Sequence, residues 1–453
     1  MREEEYLQSL TEQIRCKAAR DVVLEEVKNH IEDQAELFRN DGMEEKEARQ
    51  AAVIEMGDPV EVGVSLDRIH RPKAAWKILF MIGIISIIGL VIQYAISAKE
   101  IGDSSYKLNF IKQCGYTGIG IAIMMVVYFM DYSIIGKYAK PIGAIICIFL
   151  FMNTYFFGIS VNGARTYISI GEIHVSMAML MYLYVPIYGG ILYQYRGEGY
   201  KAIGKSIVWL LIPAFIALYM PRMSLSLNLC LILAVMLSIA ILKGWYCINK
   251  KITLVSIWGI MIAFPVTMAI NSRLYQAERL KAVIDPSSSE VGYITKNIRD
   301  LLKASQLLGA NTQGLQTYGI LPDINCDYIL IHVFSYYGVL AAGIIILLMA
   351  LLVIKIFKVS FHQKNQLGMM MGCGCGLAFA IQSIIYMLQN MGLFPITSVY
   401  LPLFSFSGTG TIVTYCLLGI LLSIYRYQNI LFEKSLKGKS GRAKLYFSQK
   451  ESI

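Results

Sequence analysis

The chain has 453 residues, 56% of them hydrophobic, with a mean hydropathy of +0.54 and only 16% charged residues, where soluble domains carry roughly a quarter. A water-soluble fold of this size has too little interior for so much apolar surface, so lipid is its natural solvent. The formal charge of +10 joins two regions of opposite sign: residues 1–70 hold 18 acids against 9 bases, and the rest of the chain 13 against 32.

The acidic head comes first. Leu24, Val27, Ile31, Ala35 and Phe38 recur at helical spacing and predict one buried helix face, with Gly42 as the stop. A second helix is expected over about 44–56, with Ala48, Ala51, Ala52 and Met56 inward and Gly57 ending it. Asp58 then caps a further helix with Pro59 at its first position, where a missing N–H costs nothing. Residues 1–70 thus read as a small soluble helical domain. Its segment GMEEKEARQAAVIEMGDPVEVGVSL resembles the helical prefix domains ahead of some bacterial permeases and sensor proteins. It reads equally as a solubilising domain or as a docking site for a cytoplasmic regulator. The charged, amphipathic start MREEEYLQSL has no cleavable signal-peptide pattern.

Apolar runs then begin at about residues 78, 108, 141, 175, 205, 223, 252, 327, 367 and 409. They predict an all-α, polytopic membrane body of about ten helices over 75–430, followed by a basic tail over 431–453. Alternate short loops carry clustered bases: Arg71/Lys73/Lys77, Lys137/Lys140, Arg196/Lys201/Lys205, Lys243/Lys250/Lys251 and Lys355/Lys358/Lys364. Such loops lie on the cytoplasmic side, so both termini are expected there and the long loop 271–326 outside. The basic excess belongs to these loops and implies membrane lipids as neighbours; no nucleic acid is expected. The nine cysteines are scattered, and the Cys373-x-Cys375 pair inside an apolar run reads as core packing.

A structureless connection as long as 271–326 is unusual unless functional. Leu280, Val283, Ile284, Ile294, Ile298, Leu301, Leu302 and Leu308 give it an amphipathic character that predicts short helices on the membrane surface. Beyond the first outer turn, the external acids are Glu172, Glu278, Asp285, Glu290, Asp300, Asp323 and Asp327. Asp327 stands where the loop enters the apolar stretch DYILIHVFSYYGVLAAGIIILL. An ionisable side chain at such a boundary is costly to desolvate and is a functional candidate; it is also a natural cap for a helix N-terminus.

Several stretches resemble the FtsW/RodA/SpoVE (SEDS) family. LPDINCDYILIHVFSYYGVLAAG is similar to the family's proline turn leading to T-D-F-I-F, matching at Leu321, Pro322, Asp327, Ile329 and Gly338. NGARTYISIG is similar to N-G-x-R-x-W-I-x-I-G at Asn162, Gly163, Arg165, Ile168 and Gly171. The loop from Arg279 keeps Asp285, Pro286, Gly292 and Tyr293, and GLFPITSVYLPLFSFSGTG keeps Gly392, Pro395, Thr397, Leu401, Pro402, Ser405 and Gly408, with Thr409 for Ser. MPRMSLSL weakly resembles the family's P-D-L-G-T or P-H-M-S-A turn. The ordered set spans about 155–425.

The resemblance implies a peptidoglycan glycosyltransferase that polymerises lipid II, a disaccharide-peptide on an undecaprenyl diphosphate, at the outer face of the bacterial cytoplasmic membrane. It implies a class B penicillin-binding protein as partner, and Asp327 as catalytic residue taking the proton from the acceptor hydroxyl. Cations suit the diphosphate: Arg165 first, then Arg279, with Arg273, Lys281, Lys296 and Arg299 behind. Asn162, Ser405 and Thr409 are candidate polar contacts to substrate, the last two equally suited to satisfying their own glycine-rich turn. A divalent cation could assist, but the dispersed acids name no ligands. His174 and His332 match no motif and read as structural. The chain departs from the pattern at Met179 and Tyr182, in place of Glu and Lys, at Ser335 and Tyr336, in place of paired Glu, and at Tyr386, in place of Asn. A flippase for the lipid-linked precursor and a non-catalytic scaffold are the alternatives.

Overall fold

A computed structural model of the chain describes residues 2–99, 104–161, 164–171, 173–220, 222–270, 279, 281–287, 292–310, 321–397 and 399–428. It divides into two compact units, one ending at Arg71 and the other spanning Pro72–Gln428.

The first unit is four helices: α1 Glu3–Glu12, α2 Lys17–Asn40, α3 Glu45–Glu55 and α4 Pro59–Ile69. Its punctuation follows the sequence. Gly42 and Gly57 both take positive φ where α2 and α3 end, a conformation that costs glycine no Cβ clash. Asp58 accepts a hydrogen bond from the Val60 N–H and caps α4. Val23, Val27, Ile31 and Ala35 form the buried stripe of α2, while Leu24 faces outward.

The second unit is a helical membrane body. Eight helices are long and apolar enough to cross a bilayer. They are α5 Trp76–Lys99, α6 Ser104–Phe129, α8 Ala139–Phe156, α11 Tyr200–Tyr219, α12 Met223–Leu242, α16 Val339–Phe361, α17 Gln366–Asn390 and α18 Gly408–Arg426. A short helix, α7 Tyr132–Lys137, precedes α8. Two further helical stretches fall between these in the chain. One runs from α9 Met177–Leu180 through a 3-10 turn into α10 Tyr184–Gln194, and the other is α13 Lys250–Ile270. The chain is therefore a multi-pass membrane protein.

Burial separates central from peripheral helices. The apolar windows of α12, α17 and α18 are 67%, 67% and 78% buried, against 22–44% for the other five. Small residues make the centre possible, because without a hydrophobic drive between helices in lipid, close backbone approach supplies the packing. Gly374 of α17 faces Met236, Gly372 faces Ser360, and Gly419 of α18 faces the Met124 backbone of α6. Cys373 and Cys375 are free, fully buried packing residues of α17.

Two features differ from the expected run of helices. First, the apolar stretch from Asp327 onward is broken. A short helix, α15 Ile329–Tyr337, ends at Gly338, and α16 starts beyond it. Gly338 has φ 93, and a Cβ there would meet the Leu307 backbone at 2.7 Å. The segment after α14 Tyr293–Ala304 crosses at this point, pairing Val339 N–H with Gln306 O and Gly309 N–H with Tyr337 O. Second, a three-stranded antiparallel sheet connects α8 to α9. It comprises β1 Ile159–Val161, β2 Ala164–Ile170 and β3 Ile173–Ser176, in the order β1-β2-β3.

Hydrogen bonds tie the sheet, the start of α12, the 321–328 turn and the 399–407 turn into one end of the bundle. Gly89 of α5 admits the last of these, because a Cβ there would lie 2.2 Å from the Leu403 carbonyl oxygen. Gly83, two turns earlier in α5, faces open space. Gly89→Ala is therefore expected to destabilise the protein by about 1–3 kcal/mol through overpacking. Gly83→Ala should leave it unchanged, as read by thermal unfolding of the purified protein in detergent.

Candidate active site

Asp327 sits in an irregular turn, residues 324–328, ahead of α15. Asp323 opens it with φ 48, outside the usual range for a side chain, and its carbonyl accepts from both the Cys326 and Asp327 N–H groups at 2.9 and 3.0 Å. The next three carbonyls of the turn are taken by groups from three directions. Asn325 O accepts from Gln93 Nε2 of α5 at 2.9 Å and from the Phe406 N–H at 2.8 Å. Cys326 O accepts from Ser405 Oγ at 2.7 Å and Tyr386 OH at 3.2 Å. Asp327 O accepts from Asn390 Nδ2 at 3.0 Å. The same Tyr386 oxygen receives the Ile329 N–H, and Asn390 Oδ1 receives the Ile331 N–H, so α17 holds the first turn of α15 as well.

This backbone grip leaves the Asp327 carboxyl pointing into a partly buried setting. Burial pushes its pKa up to about 6, opposed by a hydrogen bond from the Cys326 thiol, reinforced by the nearby Asp323 charge, and opposed again by Arg222. Loss of hydration is thus the dominant cause. The same burial raises the Cys326 thiol well above its ordinary range.

Arg222 was not among the cations expected from sequence. It is the N-cap residue of α12, and its guanidinium donates to Thr166 Oγ1 of β2 at 3.2 Å. It borders a small polar cavity of about 20 Å³ lined also by Met179, Tyr182, Asn228, Gln382 and Tyr400, room for about one water. A signal for it existed: the short loops between the basic ones carry few bases, and this one holds an arginine directly after Pro221.

The other candidates divide. Arg279 is brought to the site, since its charge reaches Tyr328, the residue after Asp327. Arg165 lies in β2 opposite Ser160; its side chain, and all of Asn162, fall outside the described residues, as do Glu172, Arg273, Glu278 and Glu290. Lys281 and Lys296 are exposed. Arg299 is a clamp, its guanidinium donating to the carbonyls of Gly392 and Val283. Ser405 and Thr409 are buried, and their hydroxyls serve the protein's own backbone. Ser405 Oγ accepts from the Leu401 N–H while donating to Cys326 O, and Thr409 Oγ1 accepts from the Ser176 N–H at 2.9 Å. His174 is exposed on the sheet beside Ser169, and His332 is buried against Tyr336 and Tyr337. Among the described residues, no three His, Cys, Asp or Glu side chains gather at a metal-sized site.

Comparison with known proteins places this geometry. A family model described as a cell cycle protein, FtsW/RodA/SpoVE, matches residues 74–430. A probable peptidoglycan glycosyltransferase FtsW of Enterococcus hirae is 24% identical over 368 residues, covering 78% of this chain and 92% of that one. The peptidoglycan glycosyltransferase MrdB of Escherichia coli K12 is 23% identical over 373 residues, covering 81% and 96%. Among solved structures, a chain of a peptidoglycan synthase complex described as coordinating polymerization and crosslinking aligns with a TM-score of 0.65 at 19% identity, covering 78% of this chain and 99% of that one. The rod shape determining protein RodA of Thermus thermophilus aligns with a TM-score of 0.56 at 15% identity, covering 78% and 97%. These two likenesses are of fold.

Tyr386 carries two of the bonds that fix the Asp327 turn. Tyr386→Phe leaves the Ile329 N–H unpaired in a buried place, at a cost of about 1–3 kcal/mol. The expected result is a lower unfolding temperature and faster amide hydrogen exchange over 326–331, with exchange elsewhere in α17 unchanged.

Proposed function

The chain belongs to the FtsW/RodA/SpoVE family, and we propose that it is a peptidoglycan glycosyltransferase in which Asp327 is the general base. The observation that carries the reading is that carboxylate: partly buried, held on a turn gripped from α5, α17 and the 399–407 turn, and within electrostatic reach of Arg222.

The substrate is lipid II, as both donor and acceptor. The acceptor's 4-hydroxyl oxygen attacks the donor's anomeric carbon, its proton passes to Asp327, and the bond to the undecaprenyl diphosphate breaks with its electron pair leaving on the phosphate. A carboxylate of ordinary pKa is a poor base, whereas one near 6 is stronger and still largely ionised at neutral pH. The cationic side chains Arg279 and Arg165 supply positive charge for the diphosphate. Ser405 and Thr409 act by holding the turn and the sheet. Similarity to a chain from a complex of polymerisation and crosslinking supports a class B penicillin-binding protein as partner.

The clustered bases of alternate loops, with an even number of membrane helices, support a reading in which both termini are cytoplasmic and Asp327 faces outward. Residues 1–70 are then a cytoplasmic prefix domain, 75–430 the membrane enzyme and 431–453 a basic cytoplasmic tail.

Two tests follow. The ionised carboxylate is the active form, so kcat/KM for lipid II polymerisation should rise with pH through a midpoint near 6 and level off above it. Asp327→Asn should lose that limb together with at least a hundredfold of the rate; a variant polymerising at the wild-type rate overturns the assignment. For orientation, an exposed Lys281→Cys should react in intact cells with a membrane-impermeant maleimide. The exposed native Cys247 should react only after permeabilisation. Cys326 is a poor reporter, because burial keeps its thiol protonated and unreactive.

A further inference from the structure

Arg222 stands at the edge of the apolar bundle with one described hydrogen-bond acceptor, the neutral Thr166 hydroxyl. A guanidinium has five donors in a planar fork. The cavity beside it is polar, yet its walls, including Met179, Tyr182, Asn228, Gln382 and Tyr400, bring no Asp or Glu. A half-exposed guanidinium with donors to spare beside a polar space is a ready site for an anionic group. A guanidinium fork beside a space for about one oxygen suits a phosphate, which it binds bidentately. Asp327 feels the same charge, so such a phosphate would stand next to the proposed base.

We propose that Arg222 binds the diphosphate of the lipid-linked donor and takes up the negative charge that collects there as the glycosidic bond breaks; this rests on the glycosyltransferase reading above. The wall supports it. Positions 179 and 182, where the resemblance expects Glu and Lys, are Met and Tyr, and position 222, where it expects Asp or His, is Arg. The cavity has lost a cation on the side of α9 and gained one at the start of α12, and no acid remains on its wall to compete for it.

The test measures binding of undecaprenyl diphosphate and undecaprenyl monophosphate to the full chain in phosphatidylcholine nanodiscs, whose lipid brings no net negative charge. Wild type should prefer the diphosphate. Arg222→Gln should weaken diphosphate binding at least tenfold, Arg222→Lys, which keeps the charge without the planar fork, should keep only part of it, and Tyr182→Lys with Arg222→Gln, which returns a cation from the opposite wall, should regain a similar part. Asn228→Asp keeps Arg222 and the shape of the cavity but installs a competing carboxylate, so it should also weaken binding about tenfold even where Arg222→Gln fails to fold. Wild-type diphosphate affinity in Asn228→Asp, or in a folded Arg222→Gln, overturns the proposal. Asp327→Asn should bind the diphosphate normally while failing to polymerise. If it polymerises, the base assignment fails and the role of Arg222 is judged by binding alone.

Discussion

Irregular backbone at the lip of a bilayer has to find its hydrogen bonds inside the protein, because lipid offers none and water is scarce. The turn before α15 meets much of that demand with side chains. The carbonyls of Asn325, Cys326 and Asp327 are taken by Gln93, Ser405, Tyr386 and Asn390. Two of the four donors, Tyr386 and Asn390, stand on α17, so the turn is anchored to a central helix. The base proposed at Asp327 depends on that grip, since a carboxylate on a loose loop would sample many geometries and be hydrated in most of them.

The same constraint explains several departures from the family pattern. Tyr386 stands where an Asn is expected, and its phenolic oxygen both accepts from the Ile329 N–H and donates to Cys326 O. The exchange keeps a group able to donate and accept while filling more of the buried space between α17 and the turn. Ser335, in place of an acid, is fully buried in α15 with its hydroxyl unpartnered among the described side chains. A carboxylate there would have to be desolvated as well, at far greater cost. The loss of charge at Ser335 thus falls where this chain packs tightly, while Met179 and Tyr182 line the polar space that Arg222 borders.

The head and the spans were legible because short-range rules govern them. Gly42, Gly57 and the Asp58–Pro59 pair mark helix ends by backbone conformation alone, and runs of about 20 apolar residues mark spans by length alone. The break at Gly338 was not legible from the apolar run, because its cause is a crossing by residues 306–309, some thirty positions earlier in the chain. The sheet is hard to read from sequence, because the alternating, β-branched TYISI is a weak pattern against the strong helical signal on both sides. Asp327 was readable through its place at a boundary and the motif around it. The partners of its turn were not, because Gln93 is separated from Asn325 by 232 positions. Ser405 and Thr409 were read as able either to meet substrate or to satisfy their own turn; their hydroxyls do the backbone work, though for residues distant in sequence.

Where the charges lie also bears on the kind of activity this architecture can perform. No Asp or Glu occurs within any of the eight helices long enough to cross the membrane, nor within 177–194 or 250–270, and their Lys and Arg side chains fall near the ends. A carrier that moves a charged headgroup through the bilayer places its binding groups near the midplane, where such residues are costly and therefore diagnostic. Here the buried amides of Gln93, Gln382, Gln389 and Asn390 are collected toward one end of the bundle, the end that holds Asp327 and Arg222. A protein that only recruited a partner would have little reason to keep a carboxylate partly dehydrated at that end, because loss of hydration is costly. The distribution of polar groups therefore favours chemistry at one membrane surface over passage across it.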